Sequence, residues 1–245
     1  MKILLVNDDG IGSEGLVCLA DRLKEEHELW IVAPDSQKSG SSHAITLSGA
    51  VISKQIDERS FTITGTPADC VLVGLQSLVP GLPDLVISGI NIGPNLGADL
   101  IYSGTAAAAR QAAILGIPGV AVSLNTLHAP MYFSTAVYFI AENIMNFINL
   151  WKRLDDPTHF LNVNIPNTEN YSGNVVVAPP AKLTYENHLS SFDAPYGEIY
   201  HFYNDVGRRG LDENIVTDID ELKAGNIVLS PVRVYPENSK ITPEY

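Results

Sequence analysis

The sequence predicts an α/β fold, a mostly parallel sheet between two layers of helices, because short apolar runs alternate with helical stripes of apolar residues over most of the chain. Two further features agree: Pro, Gly, Asn and Asp gather where the runs end, and capping residues frame several of the stripes. Residues 2–6 form the first apolar run. Leu16, Leu19, Ala20 and Leu23 recur at helical spacing, and residues 28–33 form a second buried strand that Pro34 ends. Thr66 as N-cap, Pro67 at the first helical position and Asp69 three residues after the cap predict a helix start, with Val71, Leu72, Leu75 and Leu78 on its buried side. A strand is expected at 84–88, and an Ala-rich helix from about 105 to 115, closed by Gly116 and Pro118. Residues 119–123 form the next strand. Ser134 is expected to cap a long helix carrying Val137, Ile140, Ile144, Ile148 and Leu150, and 160–165 supplies a further strand.

Residues 1–180 therefore read as a core, and residues 181–245 as an extended β-hairpin arm followed by a strand segment that returns to it. Tyr185, Phe192, Tyr196, Tyr200, Phe202 and Tyr203 flank the turn-like Asp193-Ala194-Pro195-Tyr196-Gly197. An isolated hairpin is marginal in water, so aromatics on such an arm predict burial against a second copy and a homo-oligomer. The alternative is an arm folded back on its own domain.

A hydrophobic fraction of 45% with 18% charged residues fits a globular chain with a full core. No apolar stretch approaches the roughly 20 residues of a membrane span, and Met1-Lys2-Ile3 runs straight into a strand, so neither a signal peptide nor an anchor is expected. Cys18 and Cys70 lie in helical patterns as small buried hydrophobes, which fits a reducing cytoplasm. A net charge of −13 argues against nucleic acid polymers as partners, since their binding needs clustered Lys and Arg. Small anions remain open to such a chain if a cation and backbone N–H groups supply a local positive field.

The residues with chemistry lie at strand ends, where open α/β sheets bind ligands. In Asn7-Asp8-Asp9-Gly10 two adjacent carboxylates repel unless a proton or a hard divalent ion such as Mg²⁺ or Mn²⁺ intervenes. The plainer reading has one Asp capping a helix and the other facing solvent. Residues 88–97 are too rich in Gly and Asn for an ordinary connector, and Asn91 offers a neutral oxygen ligand. Ser103-Gly104-Thr105 opens a helix whose N-terminus would suit a phosphate, or is simply a capped start. Residues 36–42 are either a flexible loop or another wall of the site.

A competing pattern is Gly10-Ile11-Gly12-Ser13-Glu14-Gly15 with Asp35 downstream, which matches the dinucleotide fingerprint and would make the chain an NAD(P)-dependent oxidoreductase. Against it, Asp8 and Asp9 would stand beside the cofactor pyrophosphate. An aspartyl-phosphate phosphatase usually spaces its two acids as D-x-D, whereas Asp8 and Asp9 are adjacent, and neither a P-loop nor a histidine-based zinc motif occurs.

Longer stretches carry a resemblance. Residues 3–11, Val32-Ala33-Pro34-Asp35, Thr64-Gly65-Thr66-Pro67-Ala68-Asp69-Cys70-Val71 and Ser88-Gly89-Ile90-Asn91 resemble the SurE family of stationary-phase survival nucleotidases. So do Gly93-Pro94-Asn95-Leu96-Gly97, Tyr102-Ser103-Gly104-Thr105 and Leu161-Asn162-Val163-Asn164-Ile165-Pro166, in order and over most of the chain. The resemblance implies a Rossmann-like core, one divalent cation, and 5′- and 3′-nucleotidase activity that in some members extends to short polyphosphate. By matching positions it implies Asp8, Asp9, Ser39 and Asn91 as metal ligands, Asp8 and Asp9 as the catalytic pair, and Asn95, Ser103, Gly104 and Thr105 as the phosphate-binding segment. It also implies dimers or tetramers built through a hairpin whose turn Asp193, Pro195 and Gly197 fit. Two departures stand out: Gln111-Ala112 replaces the usual Glu-Gly, and no C-terminal helix of the kind many members exchange between subunits precedes Tyr245.

Overall fold

The structure, a computed structural model, describes residues 1–154, 158–171, 173–186, 188–203, 207–210 and 214–235. The chain begins with β1 (Lys2–Val6), α1 (Glu14–Leu23) and β2 (Glu28–Pro34), then β3 (Ser53–Asp57), β4 (Ser60–Ile63) and α2 (Pro67–Val73). The middle holds β5 (Leu85–Ile92), α3 (Asp99–Tyr102), α4 (Gly104–Ile114), β6 (Gly119–Asn125), α5 (Phe133–Arg153) and β7 (His159–Pro166). Short strands β8 (Val175–Val177), β9 (Leu183–Glu186), β10 (Leu189–Asp193), β11 (Ile199–Tyr203) and β12 (Gly207–Gly210) precede α6 (Asp218–Lys223) and β13 (Ile227–Arg233).

Among the described residues nine strands form one sheet in the order β3-β4-β2-β1-β5-β6-β7-β13-β8. β1 lies parallel to β2 on one side and to β5 on the other, so the chain reverses its direction of travel across the sheet at β1. β6 and β7 extend the parallel part, and β13 joins β7 antiparallel. β1 is apolar without alternation because both its faces are covered. Ile3 and Leu5 pack with α1 and α5, while Leu4 and Val6 pack with α2 and α4. The result is the three-layer α/β fold expected, with β10 and β11 paired as an antiparallel hairpin beyond it.

Glycine sets how closely the helices approach the sheet. A Cβ on Gly15 would stand 2.2 Å from the Ile90 carbonyl oxygen, and one on Gly119 would stand 2.1 Å from that of Ala109. α1 and α4 therefore rest almost backbone to backbone on β5 and β6. The alanines of α4 fit the same constraint: Ala106, Ala107, Ala108, Ala109 and Ala112 are all fully buried.

Two expectations need correction, and one hairpin was not expected. Ser134 does not cap α5; it lies inside the helix, whose N-cap is Tyr132 with no side-chain cap. The Tyr132 N–H instead donates to Asn167 Oδ1 at 2.8 Å, so tertiary contact replaces the local cap. The strand expected at 84–88 continues to Ile92, because Gly89 at φ 141° absorbs a register shift against β6 between Ser88 and Asn91. The β3–β4 hairpin was not foreseen; β3 is exposed along its whole length, so it lacks the apolar alternation that announces a strand.

The helix start at Thr66 is as expected. Asp69 N–H donates to Thr66 Oγ1 at 3.2 Å and Thr66 N–H donates to Asp69 Oδ2 at 2.9 Å, a complete capping box. Asp69 also accepts from Thr46 N–H at 3.0 Å and Thr46 Oγ1 at 2.7 Å, which ties the long loop after β2 to α2. Asp69→Ala is expected to cost about 1–3 kcal/mol, read as a thermal midpoint lowered by several degrees. Burial pushes the Asp69 pKa up, but the bonds from Thr66 and Thr46 outweigh it and leave it below the ordinary value. Stability from a depressed native pKa is present above the unfolded value of about 3.9 and lost as pH falls through the native one. The gap between wild type and Asp69→Ala is therefore expected to narrow in melts run below about pH 4; a gap that widens there contradicts the assignment.

Candidate active site

β1 delivers the chain to a turn built by Asn7. Its Nδ2 donates to the Gly10 carbonyl at 2.8 Å and to Ser13 Oγ at 2.7 Å, and Gly10 N–H donates to Asn7 Oδ1 at 3.2 Å. Gly10 sits at φ 101°, where L side chains are strained, so the glycine belongs to the turn itself. This places Asp8 and Asp9 at the carboxyl end of β1, beside the end of β5, where the sheet order reverses. Lys38 N–H donates to the Asp8 carbonyl at 2.7 Å, so the loop that carries Ser39 is drawn over the pair. Ser42 then anchors that loop to α3, with N–H to the Tyr102 carbonyl at 2.9 Å and Oγ to the Ile101 carbonyl at 2.6 Å.

The other wall is the start of α4. Ser103 caps it, its Oγ accepting from Ala106 N–H at 3.0 Å. Thr105 is fully buried and its Oγ1 donates to Asp8 Oδ1 at 2.6 Å. A Cβ on Gly104 would lie 2.8 Å from Asp8 Cβ and 3.0 Å from Asp8 Oδ2. The helix N-terminus thus sits directly on the Asp8 carboxylate, and only glycine permits the approach.

Asp8, Ser39, Asn91, Asn95 and Ser103 all line one cleft of about 290 Å³. Asp9 stands next to Asp8, while Gly104 and Thr105 back the cleft through their contacts with Asp8. All eight residues singled out from the sequence therefore meet at one place. Asp99, Tyr102 and Leu127 also line the cleft and were not singled out. Tyr102 lay inside a quoted motif, but its ring reaches the cleft only because α3 ends there. Tyr185, at the root of the arm, donates its hydroxyl to Asp99 and stacks edge-on to Tyr102 with centroids 6.3 Å apart. Leu127 comes from a loop with no chemical signature, and nothing in the sequence marks it.

Two carboxylates in this space are costly. Burial pushes the Asp8 pKa up, with the bond from Thr105 opposing it. Burial and the neighbouring Asp8 charge raise Asp9 to about 6, and Asp9 Oδ2 is buried with no hydrogen-bond partner among the described residues. A divalent cation answers both facts, as it would neutralise the pair and fill the unused coordination of Asp9. The remaining donors are hard oxygens: Asn91 commits Nδ2 to the Gly93 carbonyl at 2.8 Å, which leaves Oδ1, and Ser39 contributes a hydroxyl. Such a set suits Mg²⁺ or Mn²⁺. Among the described residues no cluster of three or more His, Cys, Asp and Glu exists, so a nitrogen- or sulfur-rich metal site finds no support.

The dinucleotide fingerprint dissolves on inspection of its glycines. Gly10 serves the turn and Gly15 the contact of α1 with β5, while a Cβ on Gly12 would meet nothing within 4 Å. Asp35 is exposed, accepting from Ser36 Oγ at 3.0 Å and lying 4.0 Å from Lys38 Nζ. Packing and turn geometry account for the pattern without a bound pyrophosphate. Gln111, the departure noted above, is buried with Oε1 2.9 Å from His43 Nε2, and Ala112 packs with Leu4, Val6 and Val86.

The family model described as Survival protein SurE matches residues 3–187. A 5′-nucleotidase SurE from Geotalea uraniireducens is 37% identical over 235 residues, spanning 96% of this chain and 93% of its own. That of Citrifermentans bemidjiense is 39% identical over 241 residues, with 96% and 93% covered. The crystal structure of the SurE protein from Aquifex aeolicus superposes with a TM-score of 0.82 at 32% identity, covering 97% of this chain and 95% of that one. With its fold, the order of its motifs and the full-length match all in agreement, the chain belongs to the SurE family.

Proposed function

We propose that the chain is a phosphatase dependent on one divalent cation, Mg²⁺ or Mn²⁺, that hydrolyses nucleoside 5′- and 3′-monophosphates, with short polyphosphate as a further substrate. The observation that carries the reading is the buried Asp8–Asp9 pair, with Asp9 Oδ2 lacking a partner, set against the glycine-opened N-terminus of α4. The names of the related 5′-nucleotidases support the substrate class. When bound, the cation polarises a phosphate oxygen and offsets the charge that grows during attack. Asp8, Asp9, Ser39 and Asn91 would hold it.

The protein's own groups do the rest. Thr105 fixes the Asp8 carboxylate in one orientation, and the positive dipole end of α4, at Ser103 and Gly104, attracts and orients the remaining phosphate oxygens. One Asn95 Nδ2 hydrogen goes to Ser123 Oγ at 2.8 Å, and the rest of the carboxamide is left for a ligand. The attacking water passes its proton to the carboxylate pair. The reading places the chain in the cytoplasm, in keeping with two free cysteines and with no described helix long and apolar enough to cross a membrane.

The arm extends the proposal to assembly. Phe192, Tyr196, Ile199, Tyr200, Phe202 and Tyr203 are all more than half exposed, apolar area that a homodimer or homotetramer would cover.

Phosphate release from AMP and GMP is expected with Mg²⁺ or Mn²⁺ and should vanish on chelation; turnover unaffected by chelator, or enhanced fluorescence of added NADH, would count against the reading. Asp8→Asn should abolish release with the fold intact. Gly104→Ala, which forces α4 off Asp8, should lower kcat/KM about 10- to 100-fold with a small change in melting. A folded, fully active Asp8→Asn protein removes Asp8 from the mechanism. Light scattering should report an oligomer that Phe192→Ser with Phe202→Ser dissociates; a monomeric wild type refutes the assembly.

A further inference from the structure

At the cleft wall, the loop from Gly93 to Gly97 is largely buried although it belongs to no helix or strand. Its peptide groups need partners from elsewhere. Asn95 finds them on β7: its N–H donates to Asn164 Oδ1 at 2.9 Å, and its carbonyl accepts from Asn164 Nδ2 at 2.9 Å and from Asn162 Nδ2 at 2.8 Å. Two residues on, Gly97 N–H donates at 2.9 Å to Asp218 Oδ2, whose other oxygen accepts from Ala181 and Ile219 N–H, each at 2.9 Å. Asn162, Asn164 and Asp218 are all fully buried.

Carboxamides in the middle of a sheet cost desolvation that apolar residues avoid. Here both are directed at the backbone of a single residue, Asn95, whose side chain lines the cleft. We propose that Asn164 and Asn162, assisted by Asp218, are positioning residues that set the Asn95 side chain against the phosphate. This rests on the phosphatase reading above. Holding both the N–H and the C=O of one residue from a rigid strand fixes its Cα and the direction of its side chain. A shift of about 1 Å at such a group is enough to lower a rate on the order of 100-fold.

The test compares Asn164→Leu, close in volume but unable to make either bond, with Ser230→Ala. Ser230 lies opposite Asn162 in the same buried layer, and its Oγ has no hydrogen-bond partner. For each variant kcat and KM for AMP, the dissociation constant of inorganic phosphate by calorimetry with Mn²⁺, and the thermal midpoint are measured. Asn164→Leu is expected to lose about 10- to 100-fold in kcat and to bind phosphate more weakly at temperatures where it remains folded, while Ser230→Ala keeps both. A lowered midpoint with unchanged kcat and phosphate affinity would show a role in stability alone and overturn the proposal. Should Asn164→Leu not fold, Asn162→Ala, which removes one of the two donors to the Asn95 carbonyl, is expected to show the same losses in smaller measure. Wild type that binds phosphate without turning over any nucleotide defeats the nucleotidase reading, and the comparison of phosphate affinities then decides the positioning role alone.

Discussion

Two carboxylates on consecutive residues, set at the end of a strand that is buried on both faces, repel each other where little water is present to screen them. Much of the surrounding structure answers that repulsion. Thr105 gives Asp8 a hydrogen bond, the start of α4 brings its positive dipole end onto the same carboxylate, and Asp9 is left with a raised pKa and an oxygen that nothing among the described residues satisfies. A protein folded for stability alone would have little reason to retain such a pair. The cost makes sense if an outside ligand completes the site.

Topology decides where that ligand can reach. Because β2 and β5 flank β1 on opposite sides, the connections leaving β1 and β5 part at their carboxyl ends and open a crevice between them. The Ser39 loop closes it from one side through Lys38 and Ser42, and α3 with the start of α4 closes it from the other. Close approach of helices to the sheet narrows this crevice. Gly15, Gly104 and Gly119 remove Cβ atoms where a helix meets a strand or the Asp8 side chain, so three small residues in separate parts of the chain bring the walls together.

The sequence disclosed those parts whose physics is local. The unbroken apolar run of β1, the Thr66–Asp69 box and the Ala-rich α4 each follow from neighbours a few residues apart, and each formed as expected. Adjacent acids after a strand and hydroxyls at a helix start were likewise readable, since chemistry and chain position coincide. What escaped depends on distant contacts. β3 is an exposed edge strand held by pairing with β4, α5 begins at Phe133 because Asn167 receives the Tyr132 amide, and Leu127 lines the cleft only because its loop folds over Gly93. Asn162 and Asn164 stood in a quoted motif, yet their partner is some 70 residues away, and strand periodicity says nothing about which peptide a buried carboxamide will bind.

Gln111 bears on the charge around such a site. Gln111 lies on α4, the helix whose N-terminus faces the cleft, and its Oε1 meets His43. Burial pulls the His43 pKa down and, with the nearby Arg110 charge, outweighs the Gln111 hydrogen bond that pulls it up, so His43 is held toward its neutral form opposite a neutral amide. A glutamate at 111 would instead favour protonation of His43, since a carboxylate nearby stabilises imidazolium. In a chain with a net charge of −13, an uncompensated carboxylate on α4 would weaken the positive end that a phosphate must meet. As it stands α4 carries no carboxylate, so its positive end at Ser103, Gly104 and Thr105 is not opposed by an acid on the same helix.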